Sequence, residues 1–337
     1  MKKEKKNNKI PTILLIFSNI LIVSFLFILY GPIPTFRNWW ITTSLASGNH
    51  KWFAKVLYSD STIKKVLKDN TIIENNEETD TNSITFATND SQNYDSIYEK
   101  QVLEHDKDEI YKLIRIKEKD YSGYLVVIYD SSKIELATSS NIDHGGQTMV
   151  GISRENEAKI AINASGFSRK GHKLIPTGTV IKDGKILSIG GKNTHGGGLI
   201  GFTNDNVLML TTDSAENAIK KGMKDAMTFG PFLIVNGVKS DVKGNGGFGV
   251  ANRTAIAQRK DGIVLFLVID VRGANGSNGI SISDMIPLLE RYGAYNAANL
   301  DGGGSSSLVI DDKLINNPRG YAYTGARYLP NAWIVKK

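Results

Sequence analysis

Asn299-Leu300-Asp301-Gly302-Gly303-Gly304-Ser305-Ser306-Ser307 is the stretch on which the reading of this chain turns. It follows a segment with helical periodicity and precedes the apolar run Leu308, Val309, Ile310. A carboxylate is therefore held beside three glycines and three hydroxyls at the mouth of a strand. Glycines allow positive φ and let a ligand approach the main chain. Successive free N–H groups in such a turn form a nest for an anion. A Gly/Ser linker has similar composition, but a linker does not ordinarily lie between two apolar elements with an Asp at its entrance.

Upstream, residues 281–292 predict a helix. Ser281 and Asp284 have capping-box spacing, with Asp in place of Glu. Ile282, Met285, Ile286, Leu289 and Tyr292 share one face, and Gly293 is a stop. Pro287 implies a kink or a later start. Residues 263–269 form a seven-residue apolar run, the best candidate for a central strand. The run ends in Asp270-Val271-Arg272-Gly273, where a loop beyond a rigid strand supplies polar groups. Asn252-Arg253-Thr254 opens another strand, residues 255–258, after a Gly-rich loop. A guanidinium there presents paired donors suited to a phosphate, although a surface ion pair is the commoner fate of one Arg.

The middle of the chain reads as short β-branched runs separated by Gly, Asp and Ser turns, the pattern of a sheet-rich domain. Strands are expected at 111–117, 124–129, 133–138 and 159–162, with a short helix over 150–157. Asn163-Ala164-Ser165-Gly166-Phe167 ends one strand as a turn able to face a ligand. Asp183-Gly184 is a hairpin signal, so turn chemistry explains Asp183 better than catalysis does. His195, followed by three glycines, is either a general acid or phosphate ligand, or a solvated loop residue. Residues 321–325 read as a turn, and Arg327 precedes the last strand, 332–335. Asn163, Arg253, Asp270, Asp301 and Arg327 thus fall at strand edges or in adjoining loops. Together they offer carboxylates and guanidinia, the set needed to cleave a glycosyl phosphate.

At the other end, residues 1–9 carry five Lys and one Glu, so four of the seven net positive charges sit in a tail. Residues 10–30 are almost wholly apolar and uncharged, about the length that spans a bilayer as a helix. The run is longer than the apolar region of a cleaved signal peptide and lacks an Ala-x-Ala edge. It reads as an uncleaved signal anchor, with the tail cytoplasmic and the rest of the chain outside the cell membrane. Trp39, Trp40 and Trp52 suit either the membrane interface or a packed core. Residues 33–68 are compatible with helices, whereas 69–100, rich in Asn, Thr, Asp, Glu and Ser, read as a polar stalk. The expected organisation is a tail at 1–9, an anchor at 10–30, a juxtamembrane segment and stalk at 31–104, and a catalytic domain at 105–337.

The 337 residues are 41% hydrophobic, enough for a sizeable core. No basic stripe interleaved with aromatics suggests nucleic acid as a partner. The absence of Cys excludes disulfides, Cys-ligated zinc and a thiol nucleophile. The five His have no metal-ligand spacing, which argues against a His-rich dinuclear site.

The sequence resembles the phosphodiester glycosidase family over residues 124–336. The resemblance is carried by Gly146-Gln147-Thr148, the turn at Asn163, residues 176–184, Gly230-Pro231-Phe232-Leu233, Arg253-Thr254-Ala255, the strand ending at Asp270 and Arg272, and above all residues 299–305. Departures are Ser165 where the family has glycine, Val271 where Gly is usual, and Ala326 before Arg327 where Glu is expected. The resemblance implies an α+β fold: a mixed, strand-rich domain with extended sheets and few helices, here preceded by one transmembrane helix. It also implies hydrolysis of a sugar-1-phosphodiester. On an exported chain the substrate would be a cell-envelope or exopolysaccharide glycan. Asp270 and Asp301 are then the acid/base or nucleophile pair. Arg253, Arg272, Arg327 and His195 are candidates for phosphate binding, and Asn163, Gly302 and Gly303 help fix sugar and phosphate. No cofactor is required, although a divalent cation on Asp301 and loop carbonyls is compatible with hard oxygen ligands. A non-catalytic glycan-binding module and a metal-dependent phosphodiesterase remain open alternatives, and oligomeric state is not legible.

Overall fold

The computed structural model describes residues 9–46, 50–75, 77–86, 94–270, 273–318 and 326–337. Two compact units emerge, Met1–Asn70 with Gly247–Gly249, and Thr71–Gly246 with Val250–Lys337. The expected α+β character holds: eight α-helices and several antiparallel sheets occur among the described residues.

The smaller unit is helical. Lys9–Tyr30 is followed by Pro34–Ala46, Lys51–Leu57 and Asp60–Asp69. Ser59 caps the last of these by accepting from Thr62 N. Ile41, Ala54, Tyr58, Ile63 and Val66 close a small core, with Trp40 packed against it. Trp52 is instead exposed. Pro11–Tyr30 is the one helix among the described residues long and apolar enough to cross a membrane.

In the larger unit the run at 263–269 becomes the strand Val264–Ile269, buried along its whole length. It pairs antiparallel with Thr254–Arg259 on one side and Ser122–Ile128 on the other. Ala294–Asn299 joins beyond Thr254–Arg259, and Phe232–Val235 beyond that, within a seven-stranded sheet. A second sheet places Asn331–Lys336 between Ala158–Asn163 and Ile134–Thr138, with Leu308–Ile310 on the far side of Ala158–Asn163. The third sheet contains Gly198–Thr203, Leu208–Thr211, Met223–Phe229, Thr179–Lys182 and Lys185–Ile189.

Strand periodicity assigns residues to the two sides of the second sheet. Ile160, Ile162, Leu308, Ile310, Trp333 and Val335 enter a core shared by all three sheets. The alternate residues Ala161, Val309, Ala332 and Ile334 pack with Met149 and Ile152 of the helix Met149–Glu155. Helix Ile282–Arg291 starts where Ser281 accepts from Asp284 N, so the later start implied by Pro287 does not occur; Pro287 lies inside the helix. Asp183 and Gly184 both have positive φ and turn the hairpin as expected.

The domain boundary lies at residues 70 and 71, well before 105. Thr71–Ile73 pairs with Asp241–Lys243. Thr79 exchanges hydrogen bonds with Leu210, and Asp80 N donates to Asn236 Oδ1. Tyr98 of the helix Ile97–Leu103 packs edge-on against Tyr292. The described part of the polar segment is therefore no stalk. Its composition is misleading because hydrogen bonds to distant parts of the same unit hold it, and hydrophobic content does not register them.

Candidate active site

Three neighbouring strands deliver the residues around residues 299–307. Ile269 N donates to Arg253 O at 2.8 Å, and Leu300 N to Thr254 O at 2.9 Å. Arg253, Asp270 and Asp301 consequently emerge at one end of the seven-stranded sheet. The second sheet contributes Asn163 at the end of Ala158–Asn163. Asp301 N donates to Ala164 O at 3.1 Å, joining the two sheets there.

Asn163 is buried and fully engaged. Its Nδ2 donates to Asp301 O at 2.6 Å, while its Oδ1 accepts from Thr254 Oγ1 at 2.7 Å and Ser307 N at 3.1 Å. The amide therefore ties both ends of the Gly/Ser loop to the adjacent strand. Ser165 N and Oγ both donate to Asn331 Oδ1, so the residue that departs from the family pattern is absorbed in a buried contact.

The Asp301 residue keeps some solvent contact, but its carboxyl is enclosed. Burial pushes that carboxyl up to about 6, against the opposing pull of Ser305, Arg327 and the Gly302 amide. Arg327 Nη1 donates to Ser305 Oγ at 3.2 Å, so Ser305 stands between the guanidinium and the carboxylate. Arg327 also lies over the Phe167 ring, 5.9 Å from its centroid.

Arg253 is buried, and its Nε donates to Ile280 O at 3.3 Å. Burial draws its guanidinium down to about 10, which leaves it charged at neutral pH. Its Nη1 lies 3.8 Å from the position a Cβ on Gly302 would take. Gly303 has φ +62°, donates to Asn252 O and accepts from Asn252 Nδ2. A Cβ at Gly303 would meet nothing within 4 Å, so this glycine serves the backbone conformation at an open position.

Asp270 occupies the same sheet end, but its carboxylate is held by its own loop and by the segment at Asn317. Oδ2 accepts from Asn275 Nδ2 at 2.9 Å and Oδ1 from Asn317 N at 3.2 Å. His195 lies on another loop, stacked on Phe229 at 4.8 Å. Phe229 is also the ring a Cβ on Gly166 would strike, so the His195 loop adjoins the turn after Asn163. Arg272 and the turn at 321–325 lie outside the described residues. Asn252 and Thr254, read from the sequence only as the flanks of Arg253, help hold the site together. Their neighbour Arg253 was the available signal.

Buried Asn163, enclosed Asp301 and the two arginines sit where strands of two sheets meet. The chain belongs to the phosphodiester glycosidase family, whose sequence profile matches residues 156–336. It is similar to the SPbeta prophage-derived uncharacterized protein YomE of Bacillus subtilis, at 30% identity over 182 residues, 51% of this chain and 27% of that protein. It also resembles the N-acetylglucosamine-1-phosphodiester alpha-N-acetylglucosaminidase of Bos taurus, at 33% over 69 residues, 20% of this chain and 13% of that one. The chain thus matches only about a quarter and an eighth of these relatives' lengths. Its fold is similar to the zebrafish N-acetylglucosamine-1-phosphodiester alpha-N-acetylglucosaminidase catalytic domain auto-inhibited by pro-peptide, with a TM-score of 0.56 and 17% identity, covering 69% of this chain and 85% of that one.

Proposed function

We propose that this protein hydrolyses the glycosidic bond of a sugar-1-phosphodiester. The observation that carries this is the enclosed Asp301 carboxyl, pushed up to about 6 beside Ser305 and Arg327. Such a group keeps a proton at mildly acidic pH and delivers it to the departing phosphate oxygen. The bond between the anomeric carbon and that oxygen breaks. Water supplies the new oxygen on the sugar, and a phosphomonoester leaves. Asp270 is the second carboxylate. Its two hydrogen bonds use only part of its acceptor capacity, leaving lone pairs for water or for the sugar carbon. Arg253 and Arg327 offset the phosphate charge, and Asn163 with Gly302 and Gly303 fixes the loop that carries Asp301.

Family membership and the apolar helix Pro11–Tyr30 support a cell-envelope or exopolysaccharide substrate handled outside the membrane. In this assignment the helix is a single-pass anchor with a cytoplasmic N-terminus. Among the described residues no three His, Asp or Glu side chains converge, so no residue is assigned to a resident metal.

The deciding experiment incubates the purified protein with a sugar-1-phosphodiester and identifies the products. Free sugar, lost in Asp301→Asn, supports the proposal. Sugar phosphate released in a chelator-sensitive reaction would identify a metal-dependent phosphodiesterase instead. Glycan binding without any product would identify a binding module.

A further inference from the structure

Glu74 follows the strand Thr71–Ile73 within the larger unit. Its carboxylate accepts from Gly197 N through both oxygens, each at 2.8 Å, and from Phe232 N at 2.6 Å. Burial pushes the carboxyl up, and these two amides supply the opposing pull. The pocket is built for close approach. A Cβ on Gly196 would meet Glu74 Oε1, one on Gly197 would strike Phe229 O, and one on Gly230 would strike Gly196 O. Gly196 and Gly197 both have positive φ, and the turn aims the Gly197 amide inward.

This amide pair is strapped to the strand that delivers Asp301. Asn299 N donates to Pro231 O at 3.0 Å, and Asn299 Nδ2 to Gly230 O at 2.8 Å. Asp301 follows two residues later, at most about 7 Å along the chain. His195 and Phe229 form the wall beside Gly196 and Gly197.

We propose that the amides of Gly197 and Phe232 form an anion subsite for the phosphate of the substrate, and that Glu74 occupies it as an internal stand-in. This rests on the function proposed above and adds a site to it. A tetrahedral phosphate monoanion presents several acceptor oxygens to the same donors. When Glu74 withdraws, two inward-facing N–H groups need an acceptor, and an anionic ligand supplies it. A chain that holds Glu74 in place binds phosphate more weakly, in proportion to the fraction of molecules with the subsite open.

The test titrates inorganic phosphate into the full-length protein, with binding read by calorimetry and by the amide resonances of Gly197 and Phe232. Glu74→Ala is expected to bind phosphate about tenfold more tightly than the parent, with both amides shifting. Glu74→Gln, neutral and of the same shape, is expected to show a smaller gain. With a sugar-1-phosphodiester, Glu74→Ala should lower KM and leave kcat nearly unchanged. Phosphate affinity within about twofold of the parent, or tighter binding that leaves both amides unshifted, overturns the proposal. If Glu74→Ala does not fold, Glu74→Gln is read alone; if neither folds, Glu74 is a structural plug and the proposal fails. Absence of turnover in every form would count against the proposed hydrolysis, while the phosphate titration would still decide the subsite.

Discussion

The side-chain amide of Asn163 donates to the main-chain carbonyl of Asp301 across 2.6 Å, from a strand in a different sheet. The same side chain accepts from Thr254 and Ser307. Asn163→Ala leaves these groups without their buried partner. Such an orphaned group costs about 1–3 kcal/mol, so the melting temperature should fall along with the rate of sugar release. Asn163→Asp should do more damage, because it sets a carboxylate against the Asp301 carbonyl. Thermal melts of the two variants side by side check the order.

The elevated Asp301 carboxyl gives a signed pH dependence. Its folded value of about 6 lies above the ordinary carboxylate range, so the fold favours the protonated form. That stability is present below the unfolded pKa and is lost as pH rises through about 6. Asp301→Asn stays neutral throughout. It should match the parent in melting temperature near pH 4 and exceed it near pH 8, conditions flanking the titration at about 6. Its activity should be lower by roughly 100- to 10,000-fold. Parent activity should decline as pH rises past about 6, and a parent profile flat across that range would remove Asp301 as the acid.

Arg253 is buried yet charged, with its guanidinium beside Gly302. Arg253→Gln removes that charge while keeping hydrogen-bonding capacity. A charge-assisted bond contributes about 1.5–3 kcal/mol, so kcat/KM for a phosphodiester should fall roughly 10- to 100-fold. Hydrolysis of a neutral aryl glycoside of the same sugar, if measurable, should change much less. An equal loss on both substrates would place Arg253 in the scaffold.

For Asp270 the question is whether its loop contacts are its whole role. Asp270→Asn keeps one acceptor oxygen and so gives up one of the two hydrogen bonds from Asn275 and Asn317, while Asn275→Ala removes the first of them outright. If Asp270 is the second carboxylate, Asp270→Asn should reduce kcat by about 100-fold or more, well beyond the effect of Asn275→Ala. Matching losses, measured at saturating substrate, would assign Asp270 to loop support alone.

The strands and the loop at residues 299–307 were legible because their signals are local. An uninterrupted apolar run marks Val264–Ile269, and Asp-Gly marks the turn at 183. Asn163, Arg253 and Asp301 could be picked out by their places at strand ends. Their mutual contacts could not, because these depend on sheet order: residues 254, 163 and 301 meet only when strands far apart in sequence become neighbours. Glu74 was invisible for a related reason. Its segment has the composition of a spacer, and its partners at 197 and 232 lie more than a hundred residues downstream. No periodicity encodes hydrogen bonds at that separation.

The position of Asn331–Lys336 bears on when the molecule can assemble. This late segment lies between Ala158–Asn163 and Ile134–Thr138, an interior strand of its five-stranded sheet. A chain emerging from the ribosome or a translocation pore in N-to-C order presents those two flanking strands long before their partner. Until it arrives, the gap between them is about 10 Å, two strand spacings, and both inner edges are open to unwanted pairing. Contacts of such sequence separation form slowly. Asn163, whose strand borders the gap, cannot be fully seated until the final strand is free. The proposed site is thus completed only after this segment has been synthesised, and the two unfilled strand edges need shielding in the interval.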